Sequence, residues 1–412
     1  MQNEEKYNFI KYYERSFRNN WALEAVTDYG TNVTLTYGDL ATKIAKLHIL
    51  FEQCGIKKDD KIAVMGKNNS NWVSVYLATV TYGAIVVPIL QDFTSNDIQH
   101  IVNHSESRLL FAGDIYWQTL DSDRMPDLEA AVIVNNFSLA YEKEGDKFAQ
   151  LLSTWEDDFK AKYPAGFSVE DIKYAEVPNE QMILLNYTSG TTGSSKGVML
   201  SVNNLTGNMV FARDMKKPNT DDYYFYAGGR SLSFLPLAHA YGCAFDFLAQ
   251  LVVGGHITLL GKMPSPKILV DAMKNVKPTV ICSVPLILEK VYRKMIMPML
   301  EKGPMSIAMK IPFINTALYS IIRMKLMESF GGEAQIFIVG GAPMNQETEA
   351  FLRKINFPLT IGYGMTECGP LISYEHPEYF KSGSCGRYLP GIMEAKILSK
   401  DPQNIPGEIV VH

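Results

Sequence analysis

Short apolar segments alternate with helical patterns along most of this chain, and that alternation constrains its fold more than any other feature. The apolar segments that we predict to be strands are residues 62–65, 85–87, 109–111, 131–134, 182–185, 231–235, 257–260, 280–284, 336–339 and 359–361. Apolar residues at helical spacing lie between them, as in residues 37–53, and Ser70 is the predicted N-cap of a helix that ends near Gly83. The alternation predicts an α/β fold in which two parallel or mixed sheets are covered by helices.

The alternation continues to about residue 375 and then gives way to a segment rich in glycine and proline. With 412 residues, 47% of them hydrophobic, the chain has material for large cores and for two or three subdomains. Residues 393–398 and 408–411 predict short strands of a small sheet or of a partial β-barrel. We therefore expect an α/β region over residues 1–375 and a β-rich subdomain over residues 376–412.

Composition excludes several classes of protein. Lys and Arg number 39 against 44 Asp and Glu, so nothing indicates a nucleic-acid partner. The five cysteines have neither CxxC pairing nor metal-ligand spacing and are expected to be reduced thiols. Residues 1–6 are polar, which predicts no signal peptide, and no apolar run reaches the roughly 18 residues of a spanning helix. These features predict a cytoplasmic protein.

A loop rich in hydroxyl groups follows the predicted strand 182–185. Residues 187–197 have the sequence YTSGTTGSSKG, in which Lys196 stands near the far end. Glycines let the backbone approach a ligand closely, and exposed N–H groups and hydroxyls donate to phosphate oxygens. Lys196 adds a positive charge. The loop therefore predicts a site that holds phosphate groups, with a helical pattern beginning at about Asn203.

Two other interpretations of this loop are the P-loop of NTPases and a flexible linker. The P-loop of NTPases needs a Ser or Thr directly after the lysine, whereas Gly197 follows Lys196 here. A flexible Gly/Ser linker is the structural alternative, but linkers rarely sit directly behind a buried strand.

Two glycine-containing turns follow later strands, at the position where an α/β sheet gathers its ligands. Residues 362–367 offer an aromatic ring, a hydroxyl and a carboxylate, which can stack on a base, donate to phosphate and hold Mg²⁺. Residues 339–343 are small and let a flat ligand lie against the backbone. The alternative for residues 362–367 is a glycine-rich turn with a capping glutamate.

His239 ends a further predicted strand, within residues 235–242. A histidine at a strand end is more often structural than catalytic, so we expect it to line a pocket in preference to acid–base catalysis.

Residues 286–330 differ from the rest in their abundance of methionine and basic residues. Leu318, Ile321, Ile322 and Leu326 form an apolar stripe at helical spacing. We interpret the segment as a helical hairpin packed on the core. Peripheral membrane contact through residues 305–330 is the alternative.

Together and in this order, the segments 187–197, 235–242, 339–343 and 362–367 resemble the adenylate-forming superfamily: acyl- and aryl-CoA synthetases, peptide-synthetase adenylation domains and beetle luciferases. The resemblance covers nearly the whole chain. Long-chain fatty acyl-CoA synthetases look most similar, because residues 231–239 (SLSFLPLAH) and the additional helical segment before residue 340 are like theirs. The resemblance implies the large N-terminal region of such an enzyme, with two interleaved α/β subdomains over residues 1–375.

The resemblance also implies roles for individual residues. Those implied to bind ATP are Thr188, Ser189, Gly190, Thr191, Thr192, Gly193, Lys196, Gly341, Ala342, Pro343, Gly362, Tyr363, Gly364, Met365 and Thr366. Tyr363 is implied to stack on adenine and Glu367 to hold Mg²⁺. Those implied to border the acyl group are His239, Ala240, Tyr241, Gly341, Gly364 and Met365. The implied catalytic set is Thr188, Lys196, His239 and Glu367.

The implied reaction has two steps. A carboxylate attacks the α-phosphate of ATP, which gives acyl-AMP and pyrophosphate, and a thiol, usually that of coenzyme A, then displaces AMP. Two anions must approach each other, so catalysis consists mainly of positioning and charge neutralisation. The expected activity is that of an ATP-dependent long-chain fatty acid–CoA ligase, with aryl or medium-chain acids as the alternative substrates.

The chain departs from the family pattern at its end, residues 407–412. Family members continue to a Thr-Gly-Asp motif, a hinge and a small C-terminal domain with a catalytic lysine, and neither Lys396 nor Lys400 stands in a matching motif. We therefore expect a truncated piece with an incomplete β-rich subdomain and little adenylation by residues 1–412 alone. A nucleotide-binding module that naturally lacks the last domain remains an alternative, as does a kinase, which would release ADP instead of AMP.

Overall fold

The computed structural model describes residues 8–188, 195–301 and 314–412. The strands, in chain order, are β1 Glu24–Asp28, β2 Val33–Thr36, β3 Lys61–Met65, β4 Ile85–Ile89, β5 Ser107–Ala112, β6 Ala130–Ile133, β7 Leu139–Glu142, β8 Met182–Thr188, β9 Lys196–Ser201, β10 Arg230–Ser233, β11 His256–Leu259, β12 Val280–Ser283, β13 Ile336–Val339, β14 Leu359–Ile361, β15 Tyr363–Gly364, β16 Leu371–Tyr374, β17 Arg387–Tyr388, β18 Ala395–Leu398 and β19 Glu408–Val411.

The α-helices are α1 Phe9–Asn19, α2 Tyr37–Gln53, α3 Ser70–Tyr82, α4 Ser95–His104, α5 Asp114–Trp117, α6 Lys147–Lys162, α7 Val202–Arg213, α8 Ala249–Val252, α9 Pro266–Val276, α10 Pro285–Val291, α11 Met297–Glu301, α12 Ile314–Ser329 and α13 Gln346–Lys354. Gly242–Leu248 and Tyr292–Ile296 are π-helical. Short 3₁₀ turns span Ser122–Arg124, Val169–Asp171 and Thr366–Cys368.

The largest sheet has seven strands in the order β7-β6-β5-β3-β4-β8-β9. Its inner strands are parallel, and β7 and β9 add antiparallel edges. Ile62 and Val64 of β3 pack into one core cluster, whereas Ala63 and Met65 pack into a second cluster. Because both faces of β3 are buried, the strand is a continuous apolar run, which is why it could be recognised in the sequence.

The structure has two further sheets in place of the single second sheet that the sequence predicted. A four-stranded sheet has the order β10-β11-β1-β2, and a parallel three-stranded sheet has the order β12-β13-β14. A backbone hydrogen bond of 2.8 Å from Thr279 N–H to the Arg230 carbonyl oxygen joins their edges, but the ladder does not continue between β10 and β12. The expectation of two sheets was therefore wrong in number, while the α/β class is confirmed.

The C-terminal part is rich in strands, as predicted. Strands β15, β16 and β17 form an antiparallel sheet, and β18 pairs with β19 as a hairpin. The described strands of this region do not close into a barrel, and they form small sheets, which is one of the two predicted alternatives.

Several elements were missed or misplaced in the sequence analysis. Helix α6 lies inside residues 142–179, a stretch too polar to show a helical stripe, because only Phe148 and Phe159 of the helix are fully buried. Asn69, not Ser70, caps α3, since its side chain accepts a hydrogen bond from Trp72 N–H.

The segment 305–330 is described only from residue 314 onward. Within α12, Ile322 and Leu326 are buried, whereas Ile321 is 44% exposed, so the predicted stripe packs on the core only in part. Within the described parts of the chain, every helix is too short or too polar to pass through a bilayer.

One ion-pair network ties the amino ends of three strands in the large sheet. Arg108 of β5 donates to Asp60, before β3, and forms two hydrogen bonds of 2.7 and 3.0 Å with Glu129, before β6. The side chain of Arg108 is only 26% exposed, so solvent screens these pairs incompletely.

We expect Arg108→Ala to lower the free energy of unfolding by about 1–3 kcal/mol, between the values typical of surface and of buried ion pairs. Urea unfolding followed by circular dichroism measures this loss. Lys160→Ala is the control, because Lys160 pairs with Asp157 while both side chains are more than 70% exposed. Equal losses in the two variants would contradict a structural role for the network.

Candidate functional site

A cavity of about 300 Å³ lies at the carboxyl ends of β8, β13 and β14. Its polar wall includes Thr188, His239, Thr366 and Glu367, and its apolar wall includes Phe245, Ile338, Val339 and Leu371. The chain brings together four segments that are far apart in the sequence, which is the arrangement that open α/β sheets use to bind ligands.

Strands β8 and β9 deliver the hydroxyl-rich loop. They pair as an antiparallel hairpin in which Thr188 and Lys196 are cross-strand partners. Thr188 lines the cavity, whereas Lys196 is exposed on β9 and is not part of the lining. The predicted phosphate-binding residues Ser189, Gly190, Thr191, Thr192 and Gly193 lie outside the described residues.

Two asparagine side chains hold the segment that carries His239. Asn68 donates to the Leu235 carbonyl oxygen at 2.7 Å and accepts from Leu237 N–H at 3.1 Å. Asn186 of β8 donates to the Ala238 carbonyl oxygen at 3.1 Å. These bonds connect the large sheet with the wall of the cavity, because Asn68 follows β3.

The ring of His239 has a defined tautomer. Its Nδ1 accepts a hydrogen bond of 3.3 Å from Tyr241 N–H, so the proton of the neutral ring resides on Nε2. Desolvation by the surrounding protein lowers the pKa of His239, which favours the neutral ring at pH 7. A neutral ring with a protonated Nε2 can donate a hydrogen bond from that atom and is not a base there. His239 is therefore better suited to bind a ligand through a hydrogen bond than to abstract a proton from it.

A π-helical turn, Gly242–Leu248, places Phe245 in the cavity wall. The turn packs closely against the preceding segment, since a Cβ at Gly242 would lie 2.6 Å from the Pro236 carbonyl oxygen. Ala240 and Tyr241 also line the cavity, and their predicted contact with the acyl group stays a prediction. The Tyr241 hydroxyl donates to the Ile338 carbonyl oxygen at 2.8 Å and thereby fixes this wall to β13.

The turn after β13 contributes through its glycines. Gly340 and Gly341 line the cavity, and Gly341 has φ +85°, a conformation that favours glycine. Ala342 and Pro343 are exposed and are not part of the lining. The predicted contact of residues 341–343 with adenine therefore stays a prediction.

The turn after β14 brings five of the six predicted residues to the cavity. Gly362, Gly364, Met365, Thr366 and Glu367 line it. A side chain at Gly364 is excluded because its Cβ would lie 2.2 Å from the Pro370 carbonyl oxygen. Tyr363 is 40% exposed and is not part of the lining, so stacking on a base also stays a prediction.

Glu367 fits the role of a magnesium ligand. Its carboxylate is exposed at the cavity and has no hydrogen-bond or ion-pair partner among the described residues. Those residues contain no group of three or more His, Cys, Asp or Glu side chains able to hold a metal ion. A single carboxylate beside the hydroxyls of Thr188 and Thr366 suits Mg²⁺ that is held largely by substrate phosphates.

Asp246 is a residue that the sequence analysis missed. It follows Phe245 in the π-helical turn and is 1% exposed. Burial raises the pKa of this carboxyl to about 8, so Asp246 is mainly protonated at neutral pH. An aspartate within an otherwise apolar helical run gives no sequence signal of such a state.

The chain matches a family model described as AMP-binding enzyme over residues 13–412. Long-chain-fatty-acid–CoA ligase 5 of Rattus norvegicus is 28% identical over 357 residues, which are 80% of this chain and 49% of that protein. Long chain acyl-CoA synthetase 5 of Arabidopsis thaliana is 24% identical over 402 residues, 88% of this chain and 56% of that protein. The chain thus spans about half the length of these curated relatives.

Solved structures share the fold at low identity. The anthranilate CoA ligase AuaEII in complex with anthranoyl-AMP superposes with a TM-score of 0.71 at 16% identity, over 98% of this chain and 68% of that one. The N-terminal domain of FACL13 from Mycobacterium tuberculosis gives 0.70 at 18% identity, over 98% of this chain and 88% of that one. ATP-bound MatB from Rhodopseudomonas palustris gives 0.71 at 18% identity, over 98% of this chain and 70% of that one.

We expect Asp246→Asn to change the pH dependence of stability. The folded protein binds a proton at Asp246 up to about pH 8, whereas an unfolded aspartate loses it near pH 3.9. Between these values the folded state binds more protons, so this carboxyl lowers the free energy of unfolding as pH rises, by at most about 1.4 kcal/mol per pH unit.

Urea unfolding of the wild type and of Asp246→Asn from pH 5 to pH 8 measures the effect. The variant is expected to gain stability relative to the wild type as pH rises. Asp123→Asn, which changes an exposed aspartate, corrects for the loss of a surface carboxyl. A constant difference between the wild type and Asp246→Asn over this range would refute the buried, protonated state.

Proposed function

This chain belongs to the AMP-binding enzyme family, and we propose that the native protein is an ATP-dependent ligase that joins a long-chain fatty acid to coenzyme A. In the proposed reaction the fatty carboxylate attacks the α-phosphate of ATP and releases pyrophosphate. The thiol sulfur of coenzyme A then attacks the acyl carbon, and AMP leaves with the electrons of the acyl–oxygen bond.

The observation that supports this proposal most is the convergence of four separate segments on one cavity. Thr188, His239, Gly341 and the turn 364–367 line the same space. Its polar wall can hold the phosphate and the reacting carboxylate, while its apolar wall can hold the carbons next to the carboxylate. A cavity with one polar and one apolar wall suits the part of an acyl-AMP where the acyl group is bonded to the phosphate.

The proposal gives the residues different tasks. The hydroxyls of Thr188 and Thr366 donate to phosphate oxygens, and His239 Nε2–H donates to an oxygen of the carboxylate or of the α-phosphate. Lys196 carries a positive charge at the end of the loop that precedes β9. Glu367 holds Mg²⁺, which when bound neutralises phosphate charge. Together these groups lower the repulsion between the two anions.

Long-chain fatty acids are the proposed substrate class because the relatives named above at 24–28% identity are long-chain fatty acid ligases or synthetases. The apolar wall formed by Phe245, Ile338 and Leu371 is compatible with an alkyl chain. The structural neighbour that binds anthranoyl-AMP supports the shared fold alone, since its identity to this chain is 16%.

We expect the native full-length protein, given ATP, Mg²⁺, coenzyme A and palmitate, to release AMP and pyrophosphate. Chromatography of the nucleotide products measures this, because a kinase would release ADP. Benzoate in place of palmitate is the control for substrate class. Release of AMP with benzoate but not with palmitate would refute the fatty-acyl assignment, and release of ADP would refute the ligase.

We expect Glu367→Ala in the full-length protein to lower the rate of acyl-AMP formation at least about a hundredfold, because a ligand of the charge-neutralising ion is lost. Pyrophosphate exchange at several Mg²⁺ concentrations measures this effect, and raising Mg²⁺ should restore part of the rate. Glu144→Ala, which changes an exposed glutamate outside the cavity, is the control. An unchanged dependence on Mg²⁺ in Glu367→Ala would remove Glu367 from the metal site.

A further inference from the structure

A second cavity, of about 460 Å³, lies at the opposite ends of β13 and β14, two of the three strands whose carboxyl ends form the first cavity. Gln335 precedes β13, and residues 356–358 precede β14, so this cavity lies at the amino ends of the two strands. Its volume falls within the range of small-molecule sites, and none of its residues lines the first cavity.

Two arginines give the second cavity its positive charge. Arg323 of α12 is exposed and has no ion pair or hydrogen bond to any described residue. Arg353 of α13 is partly buried, donates to the Phe380 carbonyl oxygen and lies 5.2 Å from the centre of the Phe380 ring. Arg353 is therefore held in place, while Arg323 keeps its full set of donors for a ligand.

A tyrosine hydroxyl adds a neutral donor. Glu378 N–H donates to His376 Nδ1 at 3.2 Å, which leaves the proton of the neutral ring on Nε2. His376 Nε2 bonds the Tyr224 hydroxyl oxygen, so that oxygen accepts and the tyrosine proton is left to donate elsewhere. Tyr224 and His376 both line the cavity. Burial lowers the pKa of His376, so its ring adds no positive charge at pH 7.

We propose that this second cavity binds a phosphate monoester that also carries a hydroxyl group. Two guanidinium groups match the two charges of a phosphate monoester, because each can form paired hydrogen bonds with phosphate oxygens. The Tyr224 hydroxyl supplies a third donor. Glu378 also lines the cavity, and its carboxylate repels a bare anion such as inorganic phosphate. The same carboxylate accepts a hydrogen bond from a hydroxyl group of the ligand. The site therefore favours a phosphate ester that carries a hydroxyl over inorganic phosphate.

The site is separate from the proposed ligase chemistry in residues and in position. The phosphate can belong to a soluble metabolite or to the headgroup of a lipid, since both present the same monoester. A binding measurement with each source distinguishes them, and neither measurement requires the protein to be an active ligase.

Isothermal titration calorimetry of the protein with glycerol 3-phosphate tests the soluble source. We expect saturable binding, no binding of glycerol, and an affinity at least about tenfold lower in Arg323→Ala, because hydrogen bonds to a charged group are lost. Lys325→Ala is the matched control, since it removes one positive charge from an exposed position of the same helix. Tyr224→Phe should weaken binding by a smaller factor and keeps the ring that stacks on His376.

Sedimentation with phosphatidylcholine vesicles that contain lysophosphatidic acid, which keeps both a phosphate monoester and a free hydroxyl, tests the lipid source. Loss of vesicle binding in Arg323→Ala but not in Lys325→Ala, without binding of glycerol 3-phosphate, would assign the site to a headgroup. Equal effects of the two variants, or no binding of either probe by the wild type, would overturn the proposal. Thermal unfolding of each variant verifies that the fold is retained.

Discussion

The structure depends on bringing the carboxyl ends of strands from different sheets to one cavity. Parallel pairing alone aligns β13 with β14, but β8 belongs to the large sheet and must be connected separately. The side-chain amides of Asn68 and Asn186 make that connection, because each bonds the backbone of residues 235–238. Without these bonds the buried polar groups of this segment would lose their partners, which costs more than the bonds contribute when they are made.

Close backbone contact is the second requirement of the cavity. Gly364 lies against the Pro370 carbonyl oxygen and Gly242 lies against the Pro236 carbonyl oxygen, so neither position accommodates a Cβ. Each glycine thus lets its own segment of the cavity wall fold tightly against itself. The hydroxyls and the carboxylate that follow Gly364 are placed at the cavity by this tight turn and not by hydrogen bonds of their own.

The sequence was informative where both faces of a strand are buried. Strands such as β3 and β13 are continuous apolar runs with burial on each side, and their bounds were predicted to within one residue. Helix α6 was missed because most of its surface faces solvent. Its residues are therefore mostly polar, and the sequence shows no apolar stripe at helical spacing. The number of sheets was also missed, since it depends on whether β10 and β12 continue one ladder, and the apolar pattern of a strand does not report its partner.

The candidate site was predictable in its segments but not in the roles of single side chains. Turns after strands were identified because glycine and hydroxyl residues interrupt apolar runs, and the structure brings described residues of all four segments together at one cavity. Tyr363 shows the limit, since the sequence cannot indicate that the lining includes its neighbours Gly362 and Gly364 and excludes the tyrosine itself. Asp246 shows another limit, because its protonation depends on burial created by residues distant in the sequence.

Strands β13 and β14 connect two chemically different surfaces over a short distance. At a rise of about 3.3 Å per residue, their three or four residues span roughly 10–13 Å. Their carboxyl ends meet glycines and a carboxylate, while their amino ends meet two arginines. Helix α13, which carries Arg353, connects these two strands, and the turn after β13 leads directly into that helix. This short β13-α13-β14 element of the fold thus contributes residues to both cavities through its two ends.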